Sequence, residues 1–328
     1  MDQRVPEPYS IAVPIAVASV GNEAARRATP EPVSALTAWV MAFRPKTLTL
    51  SVSPVAAGAF WAWFEAGALR PFELAFALLG ALAIQIGTNL WNDACDGERG
   101  HDTADRLGPP RVTALGILPA ATVRMVALGA FAVAIAAGIV LLAAGGLPIA
   151  IVGAVSILCG LAYSSGPRPI SASPYGELFV LLFFGIVAVG GTYYLQTGML
   201  TASTVALGAI VGLPAAAVLL VNNHRDRVSD SRAGRRTLAI VAGVATARTL
   251  YAVLMVATVL FALAFVQPNT IPAMAAFVPL AAITIVLIRD MAATPVSREL
   301  NRTLARTALS QAALAITIAM SVLLCAPA

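Results

Sequence analysis

The sequence predicts an all-α protein: a multi-span transmembrane helical bundle of about nine transmembrane helices around a central cavity. Three observations carry this. Of 328 residues, 59% are hydrophobic and 11% charged, against about 25% charged in soluble domains. Apolar runs of roughly 20 residues, the length of one bilayer crossing, recur along the chain. These runs lack the residue-by-residue alternation of a β-barrel strand. The net charge of +5 does not point to nucleic acid. The basic residues gather at the ends of apolar runs, where membrane topology accounts for them.

Residues 1–33 are rich in Ala, Pro and Val with scattered charge, and are expected to form a disordered cytoplasmic tail. The transmembrane domain is expected over residues 34–328. Its first span covers residues 36–64 and is interrupted near its start by Phe43-Arg44-Pro45-Lys46-Thr47. The next covers 72–91 and runs into a polar stretch. Spans over 120–143 and 149–163 are separated by Gly145-Gly146 and Pro148, a turn signal. Spans over 175–195, 202–221, 239–266, 271–288 and 304–324 complete the bundle. Cys95, Cys159 and Cys325 are far apart and show no metal-ligand spacing, so neither a zinc site nor a disulfide framework is expected.

This span count has a consequence for charge. Of the 21 Lys and Arg residues, only Arg70 falls on the side opposite the N-terminus. By the positive-inside rule the N-terminus is cytoplasmic, in a multi-pass protein of the cytoplasmic (inner) membrane. Two polar stretches then share that cytoplasmic side, residues 89–111 and 222–230.

Those stretches hold six of the eight aspartates in the chain. Asn89, Asp93 and Asp96 stand at i, i+4 and i+7, and Asn222, Asp226 and Asp230 at i, i+4 and i+8. Each set lies on roughly one face of a helix. Crowded carboxylates at a membrane surface repel one another unless neutralised. A hard divalent cation suits them, because Mg²⁺ takes oxygen ligands from one or two carboxylates plus waters and phosphates. Two facing aspartate clusters with flanking arginines suit a diphosphate. Above a greasy helical cavity, that implies a diphosphate head on a long apolar tail, as in a polyprenyl diphosphate.

Asn92-Asp93-x-x-Asp96 and Asp226-x-x-x-Asp230 resemble the two aspartate-rich motifs of the UbiA superfamily of intramembrane aromatic prenyltransferases. Arg44-Pro45-Lys46-Thr47, Asp105-Arg106-x-Gly108-Pro109-x-Arg111, Tyr163 with Gly166-Pro167, Tyr175-Gly176-Glu177 and Thr237-Leu238 extend the resemblance over about residues 36–326. Gly100 stands where the wider family pattern has a third acid, and Asp102 follows two residues later. This offset favours the 1,4-dihydroxy-2-naphthoate branch of menaquinone synthesis over the 4-hydroxybenzoate one. Arg235 and Arg236 stand where a Lys is expected.

The resemblance implies Mg²⁺ held by Asp93, Asp96, Asp226 and Asp230, with Asp102 a further candidate ligand. It implies ionisation of the allylic C–O bond and attack by an electron-rich aromatic carbon, with CO₂ lost in the naphthoate branch. Asn89, Asn92 and Asn222 would orient ligands or waters, and Lys46, Arg111 and Arg225 are candidate diphosphate contacts. Tyr163 is either part of an interfacial aromatic belt or a cavity residue that stabilises a carbocation through its ring face.

Two rival functions make different demands. A CDP-alcohol phosphatidyltransferase would need D-G-x-x-A-R, and Asp96-Gly97-Glu98-Arg99 fails that pattern. A cation transporter would be expected to carry its charges near the bilayer midplane on broken helices, not at one face.

Overall fold

The computed structural model describes residues 34–100 and 106–325. Every regular element among them is helical. Helices α1 (Ala35–Phe43) and α2 (Thr49–Ala66) form one bent pair, with an angle of 45° at the break. α3 spans Pro71–Glu98 and α4 Ala120–Ser164. α5 (Gly176–Leu181), a π-helical turn (Leu182–Val187) and α6 (Ala188–Thr197) make one continuous crossing. α7 (Ala202–Arg232), α8 (Leu238–Val266), α9 (Ile271–Ala275) with α10 (Phe277–Ala293), and α11 (Leu300–Cys325) follow.

α4 cannot be a single crossing. Its 45 residues would extend about 68 Å at 1.5 Å per residue, twice the hydrocarbon thickness of ~30 Å. Gly146 divides it, at φ 56° and ψ −156°, a conformation open to glycine and not to an L side chain. Seven helical segments are long and apolar enough to cross a membrane, and the bent α1/α2 pair makes an eighth. The division of α4 at Gly146 brings the described residues close to the expected number of about nine crossings.

The break between α1 and α2 is stapled to α3. Arg44 sits in the left-handed region at φ 56°, and Pro45 opens the short turn that follows. Buried Gln85 donates to the Thr47 carbonyl (2.7 Å) and accepts from Ser51 Oγ (2.5 Å), while Asn89 donates to the Phe43 carbonyl (3.4 Å). Backbone carbonyls at membrane depth require such donors. The break therefore sets Arg44 and Lys46 into the polar end of the cavity.

α7 is the most enclosed of the seven helical segments long enough to cross a membrane. It meets the end of α5 and the π-helical turn at glycines: a Cβ on Gly185 would lie 2.4 Å from the Gly208 carbonyl oxygen, and one on Gly212 would lie 2.6 Å from the Leu181 carbonyl oxygen. Small residues let two backbones approach this closely. The cores around this helix join Trp61, Val189, Tyr193, Leu207, Val211 and Leu314 toward one end, and Leu220, Val221, Tyr251, Met255 and Met291 toward the other.

Candidate active site

Residues 89–98 of the first acidic stretch continue α3 beyond its apolar part, and the whole of the second continues α7, as the helical spacing requires. They meet at one end of the bundle. Arg235 donates from Nη2 to Asp96 Oδ1 (2.6 Å) and from Nη1 to Asp230 Oδ1 (3.3 Å). One guanidinium thus joins an aspartate of the first stretch to an aspartate of the second.

Asp96 and Asp226, like Asp230, each have an arginine beside them. Asp96 Oδ2 also accepts from Arg111 Nη2 (3.2 Å) and Asn92 Nδ2 (3.2 Å), and Asn92 donates in turn to Ser164 Oγ (2.7 Å). Asp226 accepts from Arg225 Nε (2.9 Å) and Nη2 (2.5 Å), with Arg106 Nη2 at 3.6 Å. Such pairing offsets the cost of taking carboxylates out of water.

Arg225 is wholly buried and holds several partners at once. Besides Asp226 it reaches Asn222 Oδ1 (2.8 Å) and Asn301 Oδ1 (2.7 Å). Asn301 Nδ2 binds the Leu107 carbonyl (3.0 Å), so Arg225 ties the 106–111 loop and the start of α11 to α7. Gly108 is part of this fit, since a Cβ there would stand 2.6 Å from Arg225 Nη2.

Asp93 points elsewhere. Its carboxylate accepts from the Thr113 backbone N–H (3.2 Å) and from Thr113 Oγ1. That bond anchors the turn after Arg111, so Asp93 acts in this structure on the loop that delivers Arg111. Asp102 lies outside the described residues, as do His101, Asp105 and the expected tail. His224 is fully buried and not among the residues that line the cavity. Glu177 is buried and accepts from Asn223 Nδ2 (2.9 Å).

Below the charged end runs a cavity of about 650 Å³. Its polar head includes Arg44, Lys46, Arg106, Arg111, Arg225 and Arg235, with Asn89, Asn92, Asn222, Tyr163, Asp226 and Asp230. Its depth is apolar, lined by Leu141, Ile149, Val152, Phe183, Val187 and Leu195 among others. Among the described residues that line the head, cations outnumber carboxylates even with Asp93 and Asp96 added. The surplus suits an anionic group.

Among the described residues no three His, Cys, Asp or Glu side chains converge as a closed metal site. The donor set nonetheless fits a hard cation that shares its shell with a phosphate. Asp96 and Asp230 already reach one common cationic group, and Mg²⁺ is usually held by one or two carboxylates with water and substrate oxygens completing the octahedron.

Arg235 and Asn301 are the site residues that sequence reasoning valued too little. Arg235 carried a signal, being a cation five positions after Asp230. Asn301 carried none, since it meets Arg225 across 76 positions.

Fold and site together define an intramembrane pocket for an amphiphile with an anionic head. Residues 51–295 match the UbiA prenyltransferase family, and the chain belongs to that family of enzymes. It is 34% identical over 235 residues to the 1,4-dihydroxy-2-naphthoate octaprenyltransferase of Escherichia coli (strain K12), covering 69% of this chain and 75% of that one. It is 37% identical over 214 residues to the 1,4-dihydroxy-2-naphthoate octaprenyltransferase of Mycobacterium tuberculosis (strain ATCC 25618 / H37Rv), covering 65% and 72%. A solved UbiA homolog from Archaeoglobus fulgidus bound to GPP and Mg²⁺ shares the fold at a TM-score of 0.61 and 15% identity, over 87% of this chain and 99% of that one. The apo UbiA homolog from Aeropyrum pernix K1 does so at 0.62 and 14%, over 84% and 97%.

Proposed function

We propose that this prenyltransferase moves a polyprenyl group from polyprenyl diphosphate to 1,4-dihydroxy-2-naphthoate, releasing diphosphate and CO₂ and giving demethylmenaquinol in menaquinone biosynthesis. The observation that carries the reading is the cation-rich, carboxylate-bearing head set directly on an apolar cavity. The naphthoate acceptor rests on the two relatives of that name, each matched over more than two thirds of its own length.

The head binds the diphosphate through Lys46, Arg106 and Arg111, cations that line it. Asp96, Asp226 and Asp230 would hold Mg²⁺, which would supply stabilisation of the charge that develops on the leaving diphosphate. The allylic C–O bond breaks, and its electron pair leaves with the diphosphate. The apolar wall excludes water from the cation, and the face of Tyr163 stabilises it. The naphthalene carbon bearing the carboxylate forms the new C–C bond. Loss of CO₂ returns the bonding pair and restores the aromatic ring. Asn92 holds Asp96, and Asn222 holds Arg225, which fixes Asp226.

The charged end of the bundle faces the cytoplasm. Arg70 lies at the other end, where its N–H meets Gln196 Oε1 at the turn into α3.

The test uses purified protein with Mg²⁺, a polyprenyl diphosphate and each acceptor. Release of one CO₂ per naphthoate prenylated is expected. Prenylation of 4-hydroxybenzoate in preference to the naphthoate would overturn the acceptor. No diphosphate release with either, together with cation flux in vesicles, would overturn the enzymatic reading.

A further inference from the structure

Arg235 holds a position that a metal ion would need. Its two terminal nitrogens meet Oδ1 of Asp96 and Oδ1 of Asp230, the facing carboxylates of the two acidic stretches. Without a cation between them these buried groups would repel each other. The guanidinium removes that repulsion, and by doing so it blocks the same oxygens.

The side chain also has somewhere to go. Arg235 lines both the main cavity and a second cavity of about 310 Å³, beside Arg99, Gly166, Pro167, Pro169 and Gly234. It follows Gly234, at φ 74°, and its backbone N–H is fixed to the Asp230 carbonyl (2.9 Å). The backbone is anchored while the residue borders two cavities.

We infer that Arg235 is an exchangeable counter-ion: it bridges Asp96 and Asp230 while the site is empty, and it yields their oxygens to the metal as the diphosphate arrives. The inference rests on the proposed function, since it concerns the order in which that site fills. A divalent ion alone must break these two charge-assisted bonds. When a diphosphate enters, the displaced guanidinium gains an anion, and the metal gains phosphate oxygens. Metal and diphosphate therefore bind with positive coupling, and by linkage each strengthens the other. The charge of the site stays compensated at each stage. Lysine would serve less well, because one ammonium lacks the planar fork that spans two carboxylates.

The experiment measures Mn²⁺ binding by electron paramagnetic resonance to metal-free, purified protein without diphosphate. Arg235→Gln should bind Mn²⁺ about tenfold more tightly than wild type, a typical size for coupling between two sites. Arg236→Gln removes the same charge from the adjacent exposed position and should leave Mn²⁺ affinity unchanged. If Arg235→Gln does not fold, Arg235→Lys carries the test, with a smaller tightening expected. Affinity equal to or weaker than wild type in the folded Arg235 variant overturns the inference. Equal tightening in Arg236→Gln also overturns it, by showing a general charge effect. Turnover by wild type is measured beside it: an enzyme that prenylates normally while Arg235→Gln fails to tighten Mn²⁺ loses this inference alone, whereas a wild type without turnover loses the functional reading.

Discussion

At the scale of single residues, the acids divide by what they touch. Asp96, Asp226 and Asp230 meet arginines at the head of the cavity, whereas Asp93 meets Thr113. Asp96→Ala or Asp226→Ala should lower turnover by at least ~100-fold, with the folded protein still recovered from the membrane. Near-normal activity in either variant contradicts their role. Asp93→Ala should also be inactive, by a different route. It frees the turn that delivers Arg111 and removes a buried acceptor, a loss of about 1–3 kcal/mol. Thr113→Val separates the two routes, since it removes the hydroxyl partner and keeps the acid. If Asp93 works by positioning the turn, Thr113→Val loses a good part of the activity and lowers the melting temperature. A fully active Thr113→Val beside a dead Asp93→Ala would place Asp93 directly on the reacting complex. The sequence made the acid faces legible because spacings of three and four residues share a helix face. It could not show which way each carboxylate turns. That is decided by partners far along the chain, as with Arg235 and Asp96, 139 positions apart.

At the scale of elements, the crossing of α7 and the π-helical turn fixes where the second acidic face stands. Gly208 and Gly212 are four apart on one face of α7, and a Cβ at Gly208 would lie 2.7 Å from the Ile186 Cα. Gln311 from α11 closes the same junction by donating to the Val211 carbonyl (2.9 Å) and the Phe184 carbonyl (3.3 Å). Gly212→Val should force the two backbones apart. The expected cost is about 1–3 kcal/mol for overpacking, read as a fall in thermal midpoint in detergent. Activity should fall with it, because α7 carries Asp226 and Asp230. An unshifted midpoint would mean the backbones do not approach as described. The spans themselves were legible from apolar length, and the division of α4 from Gly145-Gly146 and Pro148. The π-helical turn was not, since Leu182–Val187 carries no breaker besides Gly185 and its geometry depends on the helix packed against it. The continuation of α3 to Glu98 and of α7 to Arg232 followed from the spacing of their acids.

At the scale of the molecule, one end is charged and the other nearly bare. Arg124 pairs with Glu98 and stacks over Trp91 at 5.3 Å, while Arg248 donates to the Thr294 carbonyl (2.8 Å) where α10 ends. These join Arg99, Arg225 and Arg235 at the end that holds the site. The opposite end is closed by a mostly uncharged network in which Ser203 and Tyr193 donate to Glu65 (2.7 and 2.5 Å). Moving such a basic face across the membrane is opposed during insertion, so the charged end should remain in the cytoplasm. That placement also gives the diphosphate head direct access to soluble Mg²⁺ and releases diphosphate where it is made. Cysteine labelling tests it in a background without Cys159 and Cys325. Arg168→Cys, exposed in the loop after α4, should react with a membrane-impermeant maleimide in inverted vesicles and not in intact cells. Met199→Cys, exposed between α6 and α7 at the other end, should show the reverse. The opposite pattern at both positions would turn the protein over in the membrane. Labelling of both from one side would mean that the crossings between residues 168 and 199 do not span it.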